Sequence, residues 1–172
     1  MLDRYLLTAT LRADGTSKFA NNQWGYFPSA AVAWKISNES FMQDVMVVSD
    51  LKLRLSYGET GQQDVTNFYA ALPNYTYSSS DNTAQYQLGN SFYNTVRPEG
   101  YASDIKWETT KTYNAGLDFG FWKNRLTGSF DIYQRDTYDM LNTIAVPAGS
   151  NLRNEITTNV GDMTNKGVEL SL

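Results

Sequence analysis

The side chains best suited to chemistry are aromatic rings and amides in one long polar stretch, residues 60–106. Aromatic rings can stack on sugar rings, while Asn, Ser and Gln side chains can hydrogen bond to hydroxyl groups. The same rings can instead pack the stretch onto its own surroundings or onto another protein, and for any single ring that is the more common outcome. We therefore predict a surface for a ligand or a partner, formed by Tyr69, Tyr75, Tyr77, Tyr86, Phe92, Tyr93 and Tyr101.

Catalysis is not predicted. The 172 residues include no cysteine and no histidine, which excludes thiol nucleophiles, Ser-His-Asp triads and Cys/His metal sites. Acidic pairs such as Asp136 with Asp139, or Glu99 with Asp104, could act as glycosidase carboxylates or calcium ligands. Each pair is an isolated coincidence on a polar segment. We expect a protein that is not an enzyme, with no catalytic residue, no metal site and no cofactor.

Composition and hydropathy further limit the class of protein and its expected partners. The net charge is −4 and no cluster of Lys and Arg exists, so nucleic acid is not an expected partner. No apolar run is long enough for a transmembrane helix. The first residues lack the basic and then apolar plan of a signal peptide, so an exported protein would have Met1 as an internal or artificial start. Strands would be the only route across a bilayer.

Six runs of the sequence alternate apolar with polar or small side chains at a period of two, which predicts strands with two unlike faces. Long polar connections at residues 15–25, 60–106 and 137–166 alternate with shorter ones at 37–50 and 122–125. Of the shorter two, 37–50 is expected to hold a short helix near residues 39–44. Barrels in membranes place long loops at one rim and short turns at the other. Long and short connections alternate in this way along the whole sequence.

These patterns predict an all-β fold, a partial antiparallel transmembrane β-barrel of about six up-and-down strands with long extracellular loops and short periplasmic turns. Aromatic residues gather near strand ends, as in the girdles of barrels, and two runs have about the 9–11 residues that a tilted strand needs to span a bilayer. Six strands cannot close such a barrel. The alternative from another class is a secreted, soluble β-sandwich that binds carbohydrate, because alternation alone cannot separate the two.

In the barrel, the apolar face would meet lipid and the polar face the lumen. The predicted lipid-facing residues are Leu51, Leu53, Leu55, Leu117, Phe119, Phe130 and Ile132. The predicted lumen-facing residues are Arg12, Lys52, Arg54, Asp118, Asp131, Arg135 and Glu169. Charges of both signs suit a water-filled or plugged lumen, although the solvent face of a sandwich would also tolerate them.

Several phrases in fixed order resemble the barrel of the SusC/RagA-type TonB-linked outer-membrane receptors. They are R-A-D-G-T-S-K-F (12–19), W-G-Y-F-P-S (24–29), A-W-K-I-S (33–37), N-E-S-F-M (38–42), D-L-K-L-R-L-S-Y-G-E-T-G-Q (50–62), W-E-T-T-K-T-Y-N-A-G-L-D (107–118), D-I-Y-Q-R-D-T-Y-D-M-L (131–141) and N-K-G-V-E-L (165–170). Together they cover nearly the whole chain. Residues 1–172 are therefore expected to be part of a receptor barrel domain.

The resemblance implies active import across the outer membrane of Bacteroidota-like bacteria. In that family a ligand too large for porins, such as a glycan or a peptide, binds outside, and the proton-motive force acts through TonB on a plug. The family's plug, TonB-interacting segment and signal peptide are not in this sequence, so we expect an internal or truncated fragment. The implied partners are outer-membrane lipid, a SusD-like surface lipoprotein, and the TonB complex through the missing plug segment.

Overall fold

The computed structural model describes residues 3–65, 68–77 and 85–172. The strands, in chain order, are β1 (Tyr5–Gly15), β2 (Trp24–Lys35), β3 (Val48–Gln62), β4 (Tyr75–Tyr77), β5 (Gln85–Leu88), β6 (Ser91–Asn94), β7 (Val96–Pro98), β8 (Glu108–Phe121), β9 (Leu126–Tyr138), β10 (Leu141–Ala145), β11 (Glu155–Asn159) and β12 (Met163–Ser171). Two short 3₁₀ helices, η1 (Ile36–Asn38) and η2 (Ser40–Met42), lie between β2 and β3.

Six long strands form one antiparallel sheet in the order β1-β2-β3-β8-β9-β12. Each strand pairs with the next long strand of the chain, so the sheet is an up-and-down meander. The sheet is not closed on itself, and the predicted partial barrel of six strands is confirmed. Strands β4–β7, β5–β6 and β10–β11 form three separate two-stranded ladders within the connections.

The two rims of the sheet differ as the sequence predicts. Residues 36–47 and 122–125 connect strands at one end, which we call the short-turn rim. Residues 16–23, 63–107 and 139–162 connect strands at the other end, the long-loop rim. The turn at 122–125 is tight because Trp122, Lys123 and Asn124 all have positive φ, a conformation whose twist matches that of the flanking strands.

The strand register keeps the two faces separate across all six strands. On the apolar face, one row consists of Leu7, Val32, Leu55, Ala115, Ile132 and Val168. On the polar face, a row consists of Leu6, Ala33, Arg54, Gly116, Asp131 and Glu169. Because side chains alternate along every strand, pairing in this register places like with like.

The apolar face of the sheet is uncovered. Leu7 is 77% exposed, Val168 is 65% exposed and Leu55 is 51% exposed. A soluble β-sandwich would bury these side chains beneath a second sheet. The buried hydrophobic cluster instead lies at the long-loop rim and consists of Phe19, Phe27, Val65, Ala70, Ala71, Ile105 and Trp107. This distribution favours the barrel over the sandwich.

The connections hold local structure that the sequence patterns indicate only in part. The short helix predicted near residues 39–44 is present only as the 3₁₀ helix η2 (Ser40–Met42), which follows an extended Glu39. The connection after β3 is not structureless, since it holds the ladders β4–β7 and β5–β6. The last connection holds the ladder β10–β11. These ladders are short and carry polar residues in both strands, so their alternation is weak in the sequence.

Candidate functional site

The polar face holds a network of four charged side chains near the short-turn rim. Arg54 donates two hydrogen bonds to Asp118, at 2.8 and 3.0 Å, and also reaches Asp131 on the next strand at 3.1 Å. Lys52 contacts the second Asp118 oxygen at 2.7 Å. Two cations and two carboxylates therefore neutralise one another across β3, β8 and β9. Bidentate Arg–carboxylate pairs fix geometry strongly.

A glycine makes this network possible. Gly116 lies between Arg54 and Asp131 in the same row of the sheet. A Cβ there would overlap the Asp131 carboxylate and the Arg54 guanidinium. The guanidinium can cross β8 only because residue 116 has no side chain. The four charged residues were predicted from the alternation of the sequence, whereas the role of Gly116 depends on strand register and was not predicted.

The remaining predicted polar-face residues lie apart from the network. Arg12 pairs with Asp14 at 2.7 Å near the long-loop rim. Arg135 lies over the Tyr133 ring, 5.3 Å from its centroid, and the same ring occupies the space left by Gly167. Glu169 lies opposite Asp131, and among the described residues it has no ion-pair partner.

An aromatic core supports the long-loop rim. The Trp107 ring packs edge-on against Phe19 and Phe27, with centroids 5.6 and 5.5 Å away. The Phe27 ring lies in the gap where pairing between β2 and β3 ends, and it fills the space above Gly61. Two of the recognised phrases, W-G-Y-F-P-S and G-E-T-G-Q, thus meet at one contact. The connections 16–23 and 63–107 both contribute residues to this core.

Glu99 joins two of the loop ladders. Its carboxylate accepts hydrogen bonds from Thr76 at 2.7 Å, Arg97 at 3.1 Å and Arg153 at 2.5 Å. The Thr76 hydrogen bond, followed by those of Arg153 and Arg97, lowers the pKa of Glu99 to about 2 against the opposing effect of burial. Because Arg153 belongs to the β10–β11 connection, the contact links that connection to β4–β7. We call these four residues the Glu99 clasp.

The predicted ligand or partner residues are only partly brought together. Tyr75 and Tyr77 lie on one face of the β4–β7 ladder, and Tyr86 opposes Tyr93 across β5–β6 with Phe92 on the other face. All five are more than half exposed. Tyr69 instead directly precedes Ala70, a residue of the buried cluster at the long-loop rim. The backbone of Tyr101 hydrogen bonds to Asn151 in the β10–β11 connection. Whether any of them contacts a ligand or partner stays a prediction.

A second carboxylate anchors the short-turn rim. Glu39 accepts hydrogen bonds from the Trp34 indole and the Tyr5 hydroxyl, both at 3.0 Å, and from Arg4 at 3.1 Å. The Trp34 hydrogen bond is the main cause of the lowered pKa of Glu39, with Tyr5 and Arg4 adding to it and burial opposing it. This role of Glu39 was not predicted from the sequence, although Glu39 lies inside the recognised N-E-S-F-M phrase.

The apolar face carries aromatic rings near both rims. Tyr57 and Tyr113 contact each other near the long-loop rim, 5.1 Å between ring centroids, and Phe119 with Phe121 marks the opposite end. Phe121 lies eight residues after Tyr113 on one strand. At the usual rise and tilt of barrel strands, this separation corresponds to a band about 20 Å tall, near the thickness of a barrel's apolar belt.

The seven residues predicted to face lipid all lie on this apolar face. The register places Leu53 opposite Leu117 and Leu117 opposite Phe130, with Leu51, Leu55, Phe119 and Ile132 in adjacent rows. Their contact with lipid stays a prediction. Among the residues that the structure describes, no helix has the length and hydropathy to cross a membrane, and no group of three acidic side chains could hold a metal ion.

Comparison with known proteins identifies the family. The family model described as TonB dependent receptor-like, beta-barrel, matches residues 1–172. The chain belongs to the TonB-dependent receptor β-barrel family. It is 48% identical to the TonB-dependent receptor SusC of Bacteroides thetaiotaomicron and 36% identical to the TonB-dependent receptor P39 of Formosa agariphila. These alignments cover 100% and 98% of the chain but only 17% and 15% of the two relatives.

Solved structures of the family agree with the observed sheet. The fold matches a chain of the RagAB peptide importer in its 'closed-closed' state with a TM-score of 0.77, at 30% identity over 98% of this chain. The match covers 18% of that importer chain. The chain therefore corresponds to less than a fifth of such a receptor. The predicted SusC/RagA resemblance and fragment of a barrel are confirmed.

Proposed function

We propose that the chain forms part of the barrel wall of an outer-membrane importer for nutrients too large for porins, such as glycans or peptides. The uncovered apolar face of the sheet is the observation that carries this proposal. A membrane accounts for a face on which Leu7, Leu55 and Val168 are exposed, whereas water does not. The protein acts by transport and catalyses no reaction, in keeping with its match to TonB-dependent receptors.

In this proposal the apolar face meets lipid and the polar face lines the lumen. The long-loop rim faces outward and the short-turn rim faces the periplasm, as in other barrels of outer membranes. The neutralised network of Lys52, Arg54, Asp118 and Asp131 then forms a rigid part of the lumen wall. Energy arrives through TonB acting on a plug, which lies outside this sequence.

The exposed aromatic ladders serve as the outer contact surface. Tyr75, Tyr77, Tyr86, Phe92 and Tyr93 present rings at the long-loop rim, where a substrate or a SusD-like surface lipoprotein would arrive. Support comes from the match of the fold to a chain of the RagAB peptide importer. Tyrosines are common contact residues in interfaces because they bury large area while losing little side-chain entropy.

Paired cysteine substitutions test the direction of the faces. In a full-length receptor freed of other cysteines, Lys52→Cys and Leu53→Cys are compared in outer membranes with a membrane-impermeant thiol reagent. We expect labelling at position 52 and protection at position 53, because polar reagents do not enter the hydrocarbon layer. Ser129→Cys and Phe130→Cys provide a second pair on β9 that leaves all four network charges in place.

The opposite pattern would contradict the proposal. Labelling at 53 and 130 with protection at 52 and 129 would place the apolar face in water or at a channel. Labelling at 52 and 129 with protection at 53 and 130 in an isolated chain that folds in water would favour the soluble carbohydrate-binding sandwich, whose polar face is in solvent. Denatured samples, in which every cysteine reacts, control for loss of protein.

A further inference from the structure

A shallow groove crosses the apolar face next to the long-loop rim. It has a volume of about 610 Å³, and its floor is formed by Ala30 and Ala115. Leu55 and Ile132 form its sides, while Tyr57 and Tyr113 lie above it toward the rim. The groove exists because Ala115 stands between the larger Leu55 and Ile132 in one row of the sheet.

A single cation lies at the upper end of this groove. Lys166 on β12 is opposite Gln134 on β9, in the same row as Tyr57 and Tyr113. Its side chain is exposed, and it forms no ion pair with any residue that the structure describes. The neighbouring cation on this face, Lys111, differs because it pairs with Glu59 at 3.7 Å. The Asp136 carboxylate lies on the same face and interacts electrostatically with Lys166, but its oxygens accept hydrogen bonds from Gln134 at 2.7 Å and Thr164 at 2.8 Å, and it forms no salt bridge with Lys166.

We infer that this groove binds one phosphate-bearing lipid of the outer leaflet, with an acyl chain along Ala30 and Ala115 and a phosphate at Lys166. The inference rests on the proposed function, because it needs the apolar face in lipid and the long-loop rim outside. Lysine near a membrane interface places its stem on apolar surface and its ammonium among head groups. Cations at that depth attract anionic lipid head groups.

The lining of the groove changes from polar at its upper end to aliphatic below, which matches the head group and acyl chain of a lipid. At head-group level Lys166 supplies charge and the Tyr113 ring lies in the same row, while Gln134 donates to Asp136 and the Tyr57 hydroxyl donates to Glu59. Below them the lining is aliphatic, and Ala115 leaves room for a chain to lie against the backbone. A flat apolar wall would solvate lipid without holding any one molecule. This wall combines a depression with a cation that forms no salt bridge to any residue that the structure describes.

Native mass spectrometry of the full-length receptor in mild detergent tests the inference. Retained lipid is measured after addition of bis-phosphorylated lipid A or of the same lipid without phosphate. We expect Lys166→Gln to lower retention of the phosphorylated lipid roughly five-fold and to leave the other unchanged, as for loss of one exposed ion pair. Ala115→Phe, which fills the groove, should lower retention of both.

Matched variants control for general effects. Ala9→Phe adds the same bulk in the row of Tyr57 but outside the groove, and Lys123→Gln removes a cation at the short-turn rim. Neither should alter lipid retention. Equal retention by Lys166→Gln and the unchanged receptor would overturn the phosphate contact. Equal retention by Ala115→Phe, or a change of oligomeric state without lipid loss, would overturn the groove site and indicate a second copy there.

Failure of this inference is distinguishable from failure of the proposed function. If the groove holds no lipid, the cysteine pairs at 52/53 and 129/130 still report the direction of the faces. If the faces are reversed, those pairs give the opposite labelling whatever lipid is retained.

Discussion

At the scale of single residues, glycines determine which side chains can meet across neighbouring strands. Gly116 lets Arg54 cross a strand, and Gly61 leaves room for the Phe27 ring. Neither glycine has an unusual backbone conformation among the described residues, so space rather than φ explains both. The recognised phrases contain these glycines because the partner side chains, on other strands, occupy the place of a Cβ.

We expect Gly61→Ala to destabilise the receptor by about 1–3 kcal/mol, the usual cost of overpacking, because the added methyl overlaps the Phe27 ring. Unfolding in urea of the receptor inserted in vesicles measures the change. Gly58→Ala is the matched control on the same strand, since its Cβ would meet only Ser29 at an ordinary 3.5 Å. Phe27→Leu should reduce the penalty of Gly61→Ala, and the absence of such coupling would contradict the contact.

The elements differ in how far the sequence predicts them. The six long strands and their faces follow from alternation, because a face must be apolar along its whole length to meet an apolar environment. The two-stranded ladders could not be predicted, since strands such as β4 and β7 span only three residues each and mix aromatic with polar positions. Residue contacts such as Glu99 with Arg153 depend on how separate loops meet.

The Glu99 clasp predicts that the stability of the loop ladders depends on pH. The pKa of Glu99 falls from 4.5 to about 2 in the folded state, so its contribution to loop stability is full above about pH 4.5. That contribution is lost as the pH falls toward 2. Hydrogen exchange of residues 75–77 and 96–98 in the full-length receptor should accelerate relative to residues in β8 over this window.

Two variants test the clasp. Glu99→Gln should make the exchange of β4–β7 fast at neutral pH and remove its response between pH 4.5 and 2. Glu155→Gln is the matched control, because Glu155 also contacts Arg153, at 3.5 Å, but is mostly exposed and outside the clasp. A pH response that survives in Glu99→Gln would assign it to another group.

In the proposed function the whole molecule is a wall between lipid and lumen, and the cost of a charged substitution on the apolar face should depend on its depth in the membrane. Leu53→Arg should cost about 2–4 kcal/mol in vesicles because the charge lies near the middle of the apolar band. Leu126→Arg, on the same face at the short-turn rim, should cost at most about 1 kcal/mol. Urea titration of both variants measures the difference. Equal costs at the two positions would contradict a membrane-spanning band.

The aromatic core at the long-loop rim implies that two parts of the protein are stabilised by different forces. Phe19, Phe27 and Trp107 are held together by exclusion of water, like the interior of a soluble protein. In the part of the chain that the structure describes, the six-stranded sheet has no such interior, and in the proposed function it relies on backbone pairing and the bilayer. Detergents that preserve the wall need not preserve the core, and moderate heat or urea should release the outer loops to proteases while the strands stay inserted. If the loops form the proposed contact surface, the receptor would lose that surface while its barrel stays intact.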